Sequence, residues 1–162
     1  MSTLKEAAEE FLSHKRIAVA GVSRKGDTAG NIIYKKLRDT GYEVFPVNPN
    51  ASEVEGDKCY PDLASIPGGV EGVVIATHPE VTESVVKDCA DLGIKRVWMH
   101  RAFGHGSVDE KAVRLCHNLG ISVIPGSCPM MFCDPVDTGH KCIRWFLKVG
   151  GKQAKPDEYA VI

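Results

Sequence analysis

Residues 16–31 read RIAVAGVSRKGDTAGN, and the fold is decided there. The stretch opens on a short apolar run, Ile17-Ala18-Val19-Ala20, which Gly21 closes. Such a run is too short for a buried helix and suits a strand covered on both faces. A polar, basic loop with Ser23, Arg24, Lys25, Gly26 and Thr28 follows, and an amphipathic helix is expected to begin near Gly30 or Asn31. Strand, glycine loop and helix in this order gather unpaired backbone N–H groups at the positive end of a helix dipole. That combination favours an anion, usually a phosphate.

The same alternation continues on both sides. Thr3 and Glu6 match a capping box ahead of a helix over 3–14, whose apolar stripe is Leu4, Ala7, Ala8, Phe11 and Leu12. Strands are expected over 16–20, 42–47, 72–76, 96–99 and 122–124. Helices are expected over 30–40, 81–92, 108–119 and 140–149, and a short helical turn over 61–66. A short edge strand is expected around Glu53 to Val54 or Lys58 to Tyr60. Gly41, Gly93 and Gly120 each stop a helix before the next apolar run. This pattern specifies a Rossmann-like α/β fold: a doubly wound parallel sheet of about five strands with helices on both faces. Residues 1–150 read as one domain and 151–162 as a polar tail.

With 162 residues, 43% hydrophobic and 25% charged, the chain has the composition of an ordinary globular domain with a full core. The net charge of −1 gives no general attraction to nucleic acid or to a membrane surface, so an anion site must be local. The N-terminus lacks a basic segment followed by an apolar one, and no apolar run approaches the ~20 residues of a membrane span. A cytoplasmic protein is expected, with its six cysteines reduced.

In a doubly wound sheet, ligands sit at the carboxyl ends of the strands. Five loops are therefore candidates: 21–29, 48–50, 77–80, 100–107 and 125–131. The first does not match the dinucleotide fingerprint, because Val22 and Ser23 stand where a second glycine would be. It is not a P-loop, because no Gly-Lys-Ser/Thr follows. Asn48 ends the second strand where an NAD enzyme usually places Asp or Glu for the ribose, and it does not repel a nearby phosphate. With Arg24 and Lys25 beside the helix start, these features favour a phosphorylated nucleotide over plain NAD.

Four segments taken together carry a resemblance: IAVAGVSRKGDTAGNIIYKKL, GYEVFPVNPN, KCYPDLASIP and GVEGVVIATHPEVTESVVKDCADLGIKRVWMH. In this order they resemble the CoA-binding protein family, small stand-alone Rossmann-like domains related to the CoA-binding domain of the succinyl-CoA synthetase alpha chain. The resemblance covers about residues 13–128. It implies coenzyme A as ligand, with Gly21, Val22, Ser23, Arg24 and Lys25 around its phosphates. Asn31 joins the same loop at the helix start. By the same resemblance Asn48 and Pro49 lie near the ribose and adenine, and Thr77 and His78 border the pyrophosphate or pantetheine arm. His78 departs from the smaller or apolar residue expected at its position.

Other residues invite chemistry. His78 reads either as a general acid or base or as a residue at the start of a helix, hydrogen-bonded to backbone before Pro79. His100 and His105 flank Arg101 in a glycine-containing loop. In CPMMFCDPVDTGHKC, Cys128, Cys133, His140 and Cys142 form a Cys₃His set, but the spacings are not those of a zinc knuckle. No metal is expected, and Cys133 and Cys142 read as small buried hydrophobes. Cys128, at a strand end, is expected to face the crevice and could meet the CoA thiol. The leading expectation is a module that binds CoA or an acyl-CoA without catalytic apparatus. Its rivals are an NAD(P)-binding oxidoreductase or redox sensor and a CoA-ligase-like subunit acting with a partner chain. A homodimer is a further expectation.

Overall fold

The structure, a computed structural model, describes residues 3–136 and 139–141. The chain begins with α1 (Leu4–Ser13), followed by β1 (Arg16–Ala20), α2 (Ala29–Asp39) and β2 (Glu43–Val47). Two short strands, β3 (Glu53–Val54) and β4 (Asp57–Lys58), form an antiparallel hairpin. Then come β5 (Gly72–Ile75), α3 (Pro79–Asp91), β6 (Arg96–Met99), α4 (Glu110–Asn118), β7 (Ser122–Pro125) and a 3-10 turn at Pro129–Met131. The five long strands pair in parallel in the order β2-β1-β5-β6-β7. The chain reverses direction across the sheet between β1 and β5, the switch point at which such sheets open a crevice.

Strand residues alternate between two cores. Ile17, Val19, Val74, Trp98 and Ile124 face α1, α2 and the 3-10 turn, while Ala18, Val73, Ile75, Val97, Met99 and Val123 face α3 and α4. Trp98 centres the first core. Phe11 meets it edge-on with ring centroids 5.4 Å apart, Phe132 lies tilted at 5.9 Å, and its indole N–H donates to the Gly126 carbonyl at 3.0 Å. The central strands are buried on both faces, so their sequences read as unbroken apolar runs.

The expected capping box at Thr3 and Glu6 is present. Helix α3 starts two residues earlier than expected because Pro79 fits the first helical position, where no N–H is needed. Helix α4 starts later, with Asp109 as its N-cap accepting from the Ala112 N–H. Over 61–66 the expected helical turn is reduced to a single hydrogen-bonded turn, too short to count as a helix. The Asp62 carboxylate takes the Ser65 N–H and hydroxyl at 2.8 and 2.7 Å, as an N-cap does, and the Ile66 N–H donates to the Leu63 carbonyl at 3.3 Å. The helix expected over 140–149 and the tail over 151–162 lie outside the described residues, except for a helical fragment at 139–141. Among the described residues, no helix is long and apolar enough to cross a membrane.

The hairpin is clasped to α2 by charge. The Asp57 carboxylate accepts from the Tyr34 hydroxyl at 2.7 Å and from Arg38 Nη1 at 2.6 Å, and Arg38 Nη1 also donates to the Glu55 carbonyl. Those two donors hold the Asp57 carboxyl below its ordinary pKa, while burial and the Asp57 carboxylate push the Tyr34 phenol up.

Two glycines set the distance between strand and helix. A Cβ on Gly30 would stand 2.5 Å from the Gly21 carbonyl oxygen, and a Cβ on Gly21, at φ +98°, would stand 2.5 Å from the Ala76 oxygen. Gly30→Ala is therefore expected to destabilise the protein by about 2 kcal/mol or more, read as a lower denaturant midpoint. A stability equal to wild type would mean that the contact yields without cost. At the end of β6, burial pushes the His100 imidazole down to about 4, with His140 adding to the effect. The unfolded chain then binds the proton below its own pKa while the fold refuses it, so stability falls as pH drops from ~6.5 toward ~4. Between pH 7 and 5 this contributes a loss of about 2 kcal/mol, which His100→Gln should remove from the pH dependence of urea unfolding. Identical slopes for the two proteins would contradict it.

Candidate functional site

At the switch point lies a cleft of about 870 Å³, within the size range of pockets that hold small ligands. Its rear wall is the carboxyl end of β1 and β5, with Ala20, Gly21, Ala76 and Thr77. The first turn of α2 enters from one face of the sheet and α3 from the other. Of the residues expected in the site, Gly21, Ser23, Asn48, Pro49, Thr77 and His78 line the cleft.

The loop between β1 and α2 is bonded both within itself and to β2. The Gly21 N–H donates to the Val47 carbonyl, the Gly26 N–H to the Ser23 carbonyl, and the Lys25 N–H to Ser23 Oγ. Donors of the first α2 turn, at Ala29 and Gly30, lack intrahelical acceptors by the geometry of a helix start. Thr28 caps the helix, accepting from the Asn31 N–H, and lines the cleft with Ala29.

Four of the expected residues sit elsewhere than the cleft wall. The Val22 side chain is fully buried in the core beside α2. Arg24 and Lys25 are exposed and do not line the cleft. Asn31, also expected there, is fully buried, and its amide is occupied by Ser23, Thr28 and Glu55. Asn48 reaches the cleft wall, but its amide already has structural work. Nδ2 donates to the Val22 carbonyl at 2.9 Å, and Oδ1 accepts from the Asn50 N–H at 2.8 Å. Asn48 thus fixes the β2 loop against the β1 loop.

The other side of the cleft was harder to foresee. Val81, Ser84, Val85 and Asp88 of α3 line it, together with Pro61, Asp62 and Leu63 from the 61–66 turn. His78 is the N-cap of α3 yet makes no side-chain cap bond, so its expected bond to backbone is not formed as a cap. His100, Gly106 and Ser107 complete the lining. Ser107 Oγ donates to the Thr77 carbonyl at 2.6 Å, and Thr82 Oγ1 donates to the Ser107 carbonyl at 2.7 Å, which locks this loop to the start of α3. Gly106, at φ +58°, is needed there, since a Cβ would stand 2.4 Å from the His100 oxygen. Thr77 Oγ1 is buried with no hydrogen-bond partner among the described residues. In the α3 wall, four side chains at i, i+3, i+4 and i+7 mark one helix face. From sequence alone that face is indistinguishable from a solvated one.

The fifth expected loop, 125–131, does not reach the cleft. β7 is an edge strand, and beyond it Ser127, at φ +68°, turns the chain onto the α1–α2 side. Cys128 is buried in that core among Trp98, Met130 and Met131, so it does not face the crevice. Met130 and Met131 pack the same core, and Cys133, expected as a small buried hydrophobe, is buried there too. Cys142 lies outside the described residues, and among the described residues no three His, Cys, Asp or Glu side chains are grouped to hold a metal.

Comparison with known proteins gives this geometry a family. The model of the CoA binding domain matches residues 15–134. The Bacillus subtilis protein YneT is 30% identical over 123 residues, covering 76% of this chain and 88% of that protein. The alpha subunit of the ADP-forming acetate–CoA ligase II of Pyrococcus furiosus is 31% identical over 125 residues, covering 73% of this chain but only 27% of the subunit. A solved structure, a hypothetical protein from Pyrococcus horikoshii, superposes with a TM-score of 0.75 at 31% identity, covering 83% of this chain and 93% of that one. The chain thus spans most of the small relatives and about a quarter of the ligase subunit. A crevice at the β1/β5 switch point and a family match across all five long strands agree: this chain belongs to the CoA-binding domain family.

Proposed function

We propose that this chain binds coenzyme A, or an acyl-CoA, in the cleft at the β1/β5 switch point. The observation that carries this reading is the glycine contact that brings the first turn of α2 to the cleft wall at Gly21. The pyrophosphate sits against the N–H groups of that turn, where the helix dipole favours negative charge. Thr28 and Ser23 flank it. Asn48 and Pro49 form the adenosine end, and Thr77 and His78 border the pantetheine arm. Arg24 and Lys25 stand outside the cleft wall, so their part is at its rim, as long flexible cations for the 3′-phosphate. The neutral His100 and the amide-bound Asn48 suit binding better than proton transfer, and the reading is of a binding module.

A second reading is a subunit that works with a partner chain. It is supported by the match to an acetate–CoA ligase alpha subunit, of which this chain covers 27%. An NAD-dependent activity is less well supported, because no acid stands at the end of β2.

Calorimetric titration with CoA, dephospho-CoA, NAD and NADP tests the reading. CoA should bind most tightly, and dephospho-CoA about tenfold more weakly, the size expected for one charge-assisted contact. The double variant R24A/K25A should lose a similar factor, about tenfold, for CoA and almost nothing for dephospho-CoA. Equal, weak responses to all four ligands would overturn the CoA reading. Unchanged CoA affinity in the double variant would assign the 3′-phosphate elsewhere.

A further inference from the structure

The Asn31 side chain is fully buried and does not line the cleft, yet it makes every hydrogen bond an amide can make. Its Oδ1 accepts from the Ser23 N–H at 2.8 Å and from the Thr28 hydroxyl at 2.5 Å. Its Nδ2 donates to the Ser23 carbonyl at 2.8 Å and to Glu55 Oε1 at 2.6 Å. Ser23 and Thr28 line the cleft, whereas Glu55 does not. Asn31 is thus the third helical residue reaching back past its own N-cap to grip the loop that precedes it. Two donors converge on one side of the amide and two acceptors on the other, so only one orientation satisfies all four.

Glu55 fixes that orientation from outside. An ionised carboxylate only accepts, so it selects the NH₂ end of Asn31. Glu55 is itself held: Lys35 Nζ of α2 is 3.7 Å from Oε2, and Arg38 donates to the Glu55 carbonyl at 3.1 Å. The hairpin, α2 and the cleft loop therefore share one chain of bonds that ends at both backbone groups of Ser23.

We infer that Asn31 and Glu55 are positioning residues that set ligand affinity without touching the ligand, Asn31 by shaping the Ser23 loop and Glu55 by orienting Asn31. This inference rests on the cleft being the CoA site. In the relay, a donor must face an acceptor at each joint, and a mismatch leaves two acceptors opposed.

The test compares CoA dissociation constants and melting temperatures of full-length wild type, E55A, E55Q, N31D and N31D/E55Q. Residue 55 has φ +51°, so Ala and Gln bear similar backbone strain, and their difference reports the side chain. E55A should weaken CoA binding about fivefold, while E55Q, which keeps an acceptor for Asn31, should stay within about twofold of wild type. N31D sets two carboxylates against each other and should lose about tenfold or more. Adding E55Q to N31D supplies a donor for the introduced carboxylate and should regain part of that loss. Equal affinities for E55A, E55Q and wild type would overturn the inference, as would a double variant that binds no better than N31D. If N31D does not fold, E55A against E55Q decides alone. Failure of the wild type to bind CoA would overturn the CoA reading itself, an outcome separate from equal affinities among variants that do bind.

Discussion

The close approach of Gly21 to Gly30 and to Ala76 is the contact on which the site depends. Neither glycine can carry a side chain there, because each would place a carbon 2.5 Å from a backbone oxygen. Backbone oxygens cannot rotate away as a side chain can, so the strand-to-helix distance is fixed by the absence of two methyl groups. This distance brings the positive end of α2 to the floor of the cleft. It also lets β1 and β5 part at the switch point with no side chain plugging the gap. The parallel sheet supplies the crevice, and these glycines bring the first turn of α2 to its wall.

Around that contact the polar side chains mostly hold loops in place. Asn48 ties the β2 loop to Val22, Asn31 ties the β1 loop to the hairpin, and Ser107 with Thr82 ties the β6 loop to α3. Each of these residues spends its hydrogen bonds on protein partners within about 3 Å, the normal condition of buried polar groups. A rigid frame of this kind lowers the entropy lost when a long, flexible ligand is held. In the proposed reading, exposed Arg24 and Lys25 supply mobile charge for the 3′-phosphate.

Much of this was legible in the chain. Strands β1 and β6 stand at the expected residues because apolar runs bounded by glycines or polar loops admit no other short element. The glycine loop, the role of Thr3 and the two-sided sheet follow from equally local rules. What escaped was set by distance in space. The α3 wall of the cleft looks like a solvated helix face in sequence. Cys128 is expected in the crevice from its place at a strand end, but β7 is an edge strand and the chain beyond it turns onto the opposite core. Asn31 was expected to touch ligand because of its place at a helix start. Its partner Glu55 is 24 residues away and belongs to a hairpin that sequence reading resolved only as an edge strand.

A structure of the chain crystallised with CoA tests the central claim most directly. The account places a pyrophosphate oxygen within hydrogen-bond distance of the Ala29 or Gly30 N–H, with Gly21 beneath it and the adenosine toward Asn48 and Pro49. A pyrophosphate seated at the start of α3 with α2 untouched, or CoA bound outside this cleft, would contradict it.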